Sequence, residues 1–521
     1  MSCVSVTELP GSRLDDWWER VMSSPRARTI WRWGAPAAVT LLAVVTRLAN
    51  LGHPPTLVFD ETYYVKDAYT LSQLGYESNW PKGANDDFNA GNPDVFHTTA
   101  SFVVHPPVGK WIIAAGMALF GADDPFGWRF SVAITGILLV VLTMVAAHLL
   151  FGRTLLTVIA GGLLAIDGNA IVLSRLGLLD GMLAFFALLG VVFVLLDRRW
   201  AKRRLDAWVG RRGTSGWGPL LAWRPWLLAA GVAFGLATGV KWSGAYFLAV
   251  FGIYVVVSEL FLRRQAGIEF WATGGILKQA PVTFLLTVPV AAIVYVASWT
   301  GWFVTDGGYH RHWVEGGGER WTGVLAWVPD AVQNWWHFHA TIYGYHIGLT
   351  SPHSYQSNPL TWLFVTRPTS TYWHTNPDGT VQTILDIPNP LIWWAATAAV
   401  FFLVVRVILR LVRRQRVVAE ALVLTGLAAG YLPWLLYLNR TVFFFYTIAF
   451  EPYLVLGLTL ALGLLMGSAS DRESRRVAGL RTVGIFLAAC VLISVFFWPI
   501  WVGASIPDWF FRIHLWLPSW L

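Results

Sequence analysis

Eleven apolar segments, each of about the length needed to cross a bilayer, constrain this chain more than any other feature. A transmembrane helix needs about 20 mostly apolar residues. Because 55% of the sequence is hydrophobic and only 13% is charged, the composition excludes a soluble globular protein of this size. We predict an all-α polytopic membrane protein with about 11 transmembrane helices. The segments are residues 33–52, 128–150, 155–173, 179–197, 225–241, 243–262, 279–302, 389–411, 418–438, 442–467 and 480–501.

The basic residues between these segments predict the orientation. With a cytoplasmic N-terminus, residues 1–32, every Arg-rich loop falls inside, as the positive-inside rule requires. The formal net charge of +8 then reflects topology and does not indicate a nucleic-acid partner. The C-terminus, Leu521, faces out. The predicted divisions are an N-terminal transmembrane module at 33–302 with a large outer loop at 53–127, a second outer loop at 303–388, and a C-terminal transmembrane module at 389–521.

One apolar stretch, His105 to Gly121, is too short to count as a crossing. Counting it would place the basic 198–224 loop outside. We therefore predict an interfacial or re-entrant helix that starts at Pro106 and Pro107.

Two adjacent carboxylates, Asp60 and Glu61, stand about ten residues beyond the first apolar segment, so we expect them just outside the membrane. A carboxylate there can act as a general base on a substrate hydroxyl. The same residues also have a structural explanation. Helical spacing from Tyr64 to Leu74, with Gly75 as a stop, predicts a helix that Asp60 would cap and whose first turn would favour Glu61. The pattern leaves both interpretations open.

Cations gather at the outer ends of the predicted helices, where the positive-inside rule disfavours them. They are Arg47, Arg129, Arg175, Lys241 and Arg440. Such a rim beside two carboxylates suits a lipid-linked phosphate donor. Taken singly, an Arg or Lys at a helix end more often reaches the lipid headgroups than a ligand.

Other polar residues have structural explanations of their own. Asp167 and Asp180 bracket a turn and would cap helices or pair with Arg175. The aromatic residues between 335 and 355 fit an interfacial helix, and the histidines there lack the spacing of a zinc site. Cys3 and Cys490 are too far apart in the chain to indicate a disulfide framework.

Four motifs in order make the chain resemble the protein O-mannosyltransferase family of GT-C glycosyltransferases. They are FDE at Phe59, Asp60 and Glu61; HPPxGK from His105 to Lys110; SRxxLLD from Ser174 to Asp180; and GxxxGxKWxG from Gly235 to Gly244. Two departures stand out. The second outer loop has no room for the MIR domains of eukaryotic members, so the chain resembles a bacterial, actinobacterial-type member. The aromatic run after Arg440 also lacks the histidine that the family often has there.

The resemblance implies a GT-C fold in the plasma membrane with its active site outside the cytoplasm. It implies inverting transfer of mannose from polyprenyl phosphate mannose to Ser or Thr of a secreted polypeptide, which the secretion machinery could deliver. Asp60 would be the base and Glu61 would position the acceptor or sugar. The donor phosphate would be bound by Arg129, Arg440, Lys110 and Arg175. Further site candidates are Arg47, His105, Asp180, Lys241, Trp242, His353 and Tyr355. No cofactor is expected, and a divalent metal stays open.

Three other functions compete with this one. A sister enzyme that transfers another lipid-linked sugar, such as arabinose or aminoarabinose, would share the carboxylates and the cations. A transporter would place its polar residues near the bilayer midplane, whereas here they gather at one face. A structural assembly factor would tolerate alanine at Asp60.

Overall fold

The computed structural model describes residues 12–520, and most of them are helical. The predictions for Cys3 and Leu521, and part of that for the N-terminal segment, fall outside those residues. In the first half the helices are α1 (Arg13–Val21), α2 (Pro25–Leu48), α3 (Glu61–Leu74), α4 (Ala84–Asn89), α5 (Val108–Phe120), α6 (Pro125–Phe151), α7 (Thr154–Ala165), α8 (Gly168–Arg175), α9 (Asp180–Arg212) and α10 (Pro225–Val240). They continue as α11 (Gly244–Gln265), α12 (Trp271–Thr273), α13 (Ala280–Ser298), α14 (Thr300–Val304), α15 (Asp330–Gly348), α16 (Pro390–Val412), α17 (Val418–Tyr431), α18 (Glu451–Met466), α19 (Glu473–Val502) and α20 (Asp508–Arg512).

All eleven predicted segments coincide with helices, and the multi-pass architecture is confirmed. Seven helices in the described chain are long and apolar enough to span a bilayer, or eight if α7 and α8 form one bent span. The helices α10 and α18 are apolar but shorter, with 16 residues each. The number of crossings therefore stays a prediction.

Several predicted segments have different limits in the structure, and two of them show the physical reason most clearly. The 155–173 segment bends by 60° between α7 and α8, where the Asp167 carboxylate accepts from the backbone NH of Asn169 and starts a new helix. The 442–467 segment begins its α-helix only at Glu451, because residues Phe444–Ala449 form a 3₁₀ turn. The aromatic side chains of that turn pack inside the protein, so their apolar character does not indicate a membrane crossing.

The helices α3 and α5 form as predicted in the first outer loop. The helix α3 ends at Gly75, which adopts the left-handed conformation (φ 81°) that glycine favours at helix ends. The short helix α5 begins directly after Pro107 and packs against α3 and α6. Its position relative to a membrane surface stays a prediction.

Glycines of the GxxxGxKWxG motif allow α10 to approach its neighbours closely. A methyl group at Gly235 would lie 2.8 Å from the carbonyl oxygen of Ala291 on α13, and one at Gly239 would lie 2.6 Å from the Val108 side chain on α5. Small residues at such positions are typical of packed membrane helices. This packing fixes the end of α10, where Lys241 follows.

The second outer loop contains the expected helix, α15, and a small sheet that the sequence analysis did not predict. Strands β1 (Thr369–Thr375) and β2 (Thr380–Asp386) form an antiparallel hairpin, which β3 (Ile506–Pro507) extends. The turn between β1 and β2 contains Asn376, Asp378 and Gly379, a recognisable hairpin signal.

Candidate active site

Asp60 stands at the N-cap position of α3, but its side chain makes no capping hydrogen bond. The preceding residue, Phe59, has a left-handed backbone (φ 49°), which a bulky side chain rarely adopts. Its ring packs edge-on against Phe443 and Phe445 at centroid distances of 6.1 and 5.6 Å. The backbone that carries Asp60 is thus held by aromatic packing, and the carboxylate is left for another role.

The Asp60 carboxylate is half-buried and close to both a phenol and a cation. Its Oδ2 atom lies 3.5 Å from the Tyr64 hydroxyl. Burial raises the pKa of Asp60 to about 6, with Lys241 opposing the rise and Asp180 adding to it. A carboxylate with this pKa is mostly ionised at neutral pH yet is a better proton acceptor than an ordinary aspartate.

Glu61, by contrast, is wholly buried and fully engaged. Both of its carboxylate oxygens accept from Arg129, from Nε and Nη2 at 2.8 Å each. The backbone NH groups of Val58 and Gly177 also donate to it, at 3.0 and 2.7 Å. Glu61 therefore connects the first outer loop to the start of α9 and has no free lone pair directed at a substrate.

Arg129, predicted to bind donor phosphate, has no free NH group. Besides Glu61, its guanidinium donates to the carbonyl oxygens of Leu51, Pro54 and Thr56 at 3.0 to 3.3 Å, so all five of its donors are used. Because the side chain is also completely buried, its geometry is that of a structural residue.

Three more of the predicted cations are engaged in the same way. Lys110 pairs with Glu77 inside the protein. Arg175 donates to four carbonyl oxygens around the end of α2, those of residues 46, 47, 49 and 50, and Arg47 donates to the carbonyl oxygens of Leu164 and Ala165. All three side chains are buried. Their fixed hydrogen bonds disfavour the phosphate-binding role predicted for Lys110 and Arg175 and a direct site role for Arg47.

A cleft of about 870 Å³, including its opening, lies close to Asp60, since two of its lining residues, Asp180 and Lys241, influence the pKa of the Asp60 carboxylate. Asp60 itself is not one of the residues that line it. Five predicted residues line it: His105, Asp180, Lys241, Trp242 and Arg440. On one wall Lys241 Nζ lies 2.7 Å from Asp180 Oδ2 and faces the rings of Tyr64 and Tyr446 at 6.0 and 5.0 Å. The Lys241 ammonium therefore connects the cleft wall to the surroundings of Asp60.

Arg440 is the one predicted phosphate ligand that the structure leaves largely unpaired within residues 12–520. It lines the cleft, is half-buried, and donates from Nη2 to His346 Nδ1 at 3.1 Å. Its other four NH groups have no partner in the described chain, and its Nε is buried. Such a guanidinium can still offer two parallel NH donors to a phosphate.

His346 holds Arg440 in place and must be neutral to do so. Its Nε2 is 3.0 Å from the carbonyl oxygen of Val104, which can only accept, so this nitrogen carries the proton and Nδ1 accepts from Arg440. Burial, assisted by Arg440, lowers the pKa of His346 to about 4. The neighbouring His105 also has its pKa held well below the usual range, mainly by burial.

His353 and Tyr355 lie outside the cleft, near the Asp60 loop. The ring of His353 is exposed and stands 5.0 Å from that of Phe443, which in turn packs on Phe59. Tyr355 stacks with Arg367 at 5.2 Å. His353 is thus exposed and separated by one aromatic ring from Phe59, the neighbour of Asp60.

Several residues that line the cleft were not predicted from the sequence, among them His346, Tyr246, Tyr343, Tyr437 and Tyr446. Tyr446 had a usable signal, since it belongs to the aromatic run that starts at Arg440. His346 had none, because its partner Arg440 is 94 residues away in sequence.

Comparison with known proteins identifies the family. A family model described as dolichyl-phosphate-mannose-protein mannosyltransferase matches residues 37–303, and one described as the C-terminal four-TMM region of protein-O-mannosyltransferase matches residues 331–520. A polyprenol-phosphate-mannose--protein mannosyltransferase of Mycobacterium tuberculosis is 33% identical over 507 residues, which cover 94% of this chain and 92% of that protein. The chain belongs to the protein O-mannosyltransferase family.

One further relative supports the assignment, and one solved structure shows the same fold. The Corynebacterium glutamicum polyprenol-phosphate-mannose--protein mannosyltransferase is 31% identical over 93% of this chain and 92% of its own length. A chain of the S. cerevisiae protein O-mannosyltransferase Pmt1-Pmt2 complex bound to the sugar donor has a TM-score of 0.73 at 16% identity, over 98% of this chain and 95% of that one. The shared architecture confirms the predicted GT-C fold.

Proposed function

We propose that this chain transfers mannose from polyprenyl phosphate mannose to Ser or Thr hydroxyls of secreted polypeptides. Membership of the protein O-mannosyltransferase family supports the reaction class. The observation that carries the proposal is that Asp60 interacts with Lys241 and Asp180, which line a cleft that also holds a largely unpaired arginine, Arg440. An ionised carboxylate and a phosphate-binding cation are the two groups that such a transfer needs.

In the proposed reaction Asp60 is the general base. A Ser or Thr hydroxyl attacks the anomeric carbon of mannose while Asp60 accepts its proton. The bond between that carbon and the phosphate oxygen breaks in the same displacement, so the configuration inverts and no covalent enzyme intermediate forms. The raised pKa of Asp60 favours proton acceptance near neutral pH.

Arg440 is the residue we propose for the departing phosphate. Negative charge develops on the leaving oxygen, and a preorganised cation in a partly buried cleft stabilises that charge. Lys241 lies across the cleft but is already paired with Asp180, so we assign it to orienting the site near Asp60. In this assignment Arg129, Lys110 and Arg175 support the outer loop from within the protein.

We further propose that the cleft opens outside the cytoplasm of a bacterial plasma membrane. The helix α9 begins at Asp180 in the cleft and ends at the basic segment around Arg212, which the positive-inside rule assigns to the cytoplasm. The N-terminus would then be cytoplasmic. The acceptor would arrive as an unfolded chain during secretion.

The test is a transfer assay with the purified full chain, polyprenyl phosphate mannose and a Ser/Thr-rich peptide. We expect mannosylated peptide from the wild type, about 100-fold less or lower with Asp60→Asn, and little transfer from lipid-linked arabinose offered in competition. Preferred transfer of arabinose would support the sister-enzyme alternative. Full activity in the presence of a strong chelator would support the prediction that no divalent metal is required. Absence of any glycosylated product from a folded enzyme supplied with both substrates would refute the proposal.

A further inference from the structure

A second cleft, which we call the basic cleft, lies between α6, α9, α16 and α17. Its volume is about 670 Å³, including its opening. Four arginines line it, Arg198, Arg199, Arg410 and Arg416, together with a single carboxylate, Glu420, and leucines of α6 and α9. Nothing in the proposed transfer reaction uses these residues.

The basic cleft lies on the opposite side of the protein from Asp60. Asp180 in the active-site cleft and Arg198 in the basic cleft belong to the same helix, α9. They are 18 positions apart, which corresponds to a rise of about 27 Å along the helix, close to the thickness of the bilayer hydrocarbon core. The basic cleft therefore sits where headgroups of the other leaflet would be.

Positive charge in the basic cleft exceeds what the protein neutralises. Glu420 Oε1 accepts from both Arg406 Nε and Arg410 Nη1, at 3.0 Å each, so one carboxylate serves two cations. The Nε of Arg410 is buried without a hydrogen-bond partner among the described residues. Arg416 makes no hydrogen bond or ion pair to any residue between 12 and 520 and is exposed. An anion between Arg410 and Arg416 would supply a charged partner to both guanidinium groups.

The surface beside the basic cleft is apolar. On α16 the side chains of Phe402, Val405 and Leu409 follow one another along one face, on the membrane side of Arg410, and are 47 to 57% exposed. Residues of this kind on a membrane helix face acyl chains. A ligand with a phosphate at the arginines and hydrocarbon along α16 matches both surfaces, whereas a free phosphate would match only the first.

We propose that the basic cleft is a binding site for the phosphate headgroup of an anionic phospholipid. Arg199, Arg410 and Arg416 bind the phosphate oxygens, Glu420 orients Arg410, and the acyl chains lie along α16. This site is distinct from the one proposed for the lipid-linked sugar donor and does not depend on that assignment.

Native mass spectrometry of the full chain in detergent, titrated with phosphatidylglycerol, tests the proposal. The test variant is R199Q/R416Q. The matched control is R211Q/R413Q, which removes one exposed arginine from α9 and one from the connection between α16 and α17, neither of which lines the basic cleft. We expect phosphatidylglycerol to bind about 25-fold more weakly to the test variant, about fivefold per arginine, with the control close to wild type. Thermal unfolding without added lipid checks that both variants are folded, and R416Q alone replaces the pair if the double variant is not.

Three results would overturn the proposal. Equal weakening in both double variants would mean a general attraction between basic loops and anionic lipid, without a site. Equal retention of phosphatidylcholine would remove the requirement for an anionic headgroup. Displacement of the lipid by millimolar inorganic phosphate would assign the cleft to free phosphate.

Discussion

Replacing Asp60 by asparagine separates the chemical role of this residue from a structural one. Asn has nearly the same shape and caps a helix about as well as Asp, but it cannot accept the proton of an acceptor hydroxyl. We expect turnover of Asp60→Asn to fall by about two orders of magnitude or more, while donor binding at Arg440 persists.

The same substitution should not destabilise the protein. The pKa of Asp60 rises from 3.8 to about 6 in the folded chain. A rise of one pKa unit corresponds to about 1.4 kcal/mol. Because solvent screens a half-buried group, we expect the ionised Asp60 carboxylate to lower the free energy of unfolding by about 1–2 kcal/mol in total. Because the folded state binds the Asp60 proton more tightly than the unfolded state, wild-type stability gains as the pH falls from above 6 to below 4. Asp60→Asn should therefore be more stable than wild type above pH 6, and this difference should vanish below about pH 4.

Two measurements check this reasoning on the purified protein in detergent. The first is chemical denaturation at pH 7.5 of the wild type, Asp60→Asn and Asp60→Ala. If Asp60 capped the helix, its replacement by Ala would lower the free energy of unfolding by about 1 kcal/mol. Because the side chain makes no capping hydrogen bond, we expect no such loss. The pH dependence of wild-type kcat/KM should fall about tenfold per unit below pH 6, as the base becomes protonated.

The base assignment would be refuted by either of two results. One is a folded Asp60→Asn enzyme that keeps more than about a tenth of wild-type turnover. The other is a wild-type profile without a decline between pH 6 and pH 5. Destabilisation of Asp60→Ala alone, with normal turnover, would restore the helix-capping explanation.

Three further predictions follow from the structure and topology. Arg440→Lys keeps the charge but loses the planar fork, so donor affinity should fall about tenfold or more; unchanged affinity by direct titration would remove Arg440 from the site. Glu61→Gln leaves the buried Arg129 guanidinium without a charged partner, so the free energy of unfolding should fall by about 3 kcal/mol or more and the protein should unfold at lower temperature. Normal stability with low activity would instead indicate that Glu61 contacts substrate. Cysteine at Gly317 should react with an impermeant reagent in intact cells while cysteine at Gly213 should not, and the reverse would invert the topology.

The sequence alone predicted the helices well because length and hydrophobicity largely determine membrane segments. The prediction from sequence was wrong where apolar residues pack inside the protein instead of crossing the membrane. The run from Val442 to Ala449 is apolar because it packs against Phe59 and the core, so hydrophobicity alone extended α18 by too many residues. The β1–β2 hairpin was missed although its turn residues were visible, because an interfacial helix near residues 335–355 was the only element predicted in that loop.

For the candidate site, the sequence predicted where several residues lie but not which of them are free to bind a ligand. The motifs located Asp60 and the cleft residues Asp180, Lys241 and Trp242 within the chain. They could not show that every NH group of the Arg129 guanidinium donates to Glu61 or to a backbone carbonyl oxygen. Those partners come close to Arg129 only when the first outer loop has folded. A cation at a helix end looks alike in sequence whether it binds a ligand or supports a loop.

Asp60 and Glu61 are neighbours with the same charge and opposite surroundings, one beside the cleft and one locked inside the protein. Successive residues entering a helix differ in direction by about 100°, so the register of the first turn of α3 alone decides which carboxylate points where. Insertion of a single residue between Val58 and Asp60 would move Asp60 to the place of Glu61, and deletion would move Glu61 to the place of Asp60; either change empties one of the two places and leaves the total charge unchanged. In homologues and designed variants, a gap at this point should therefore be far more damaging than most substitutions around it.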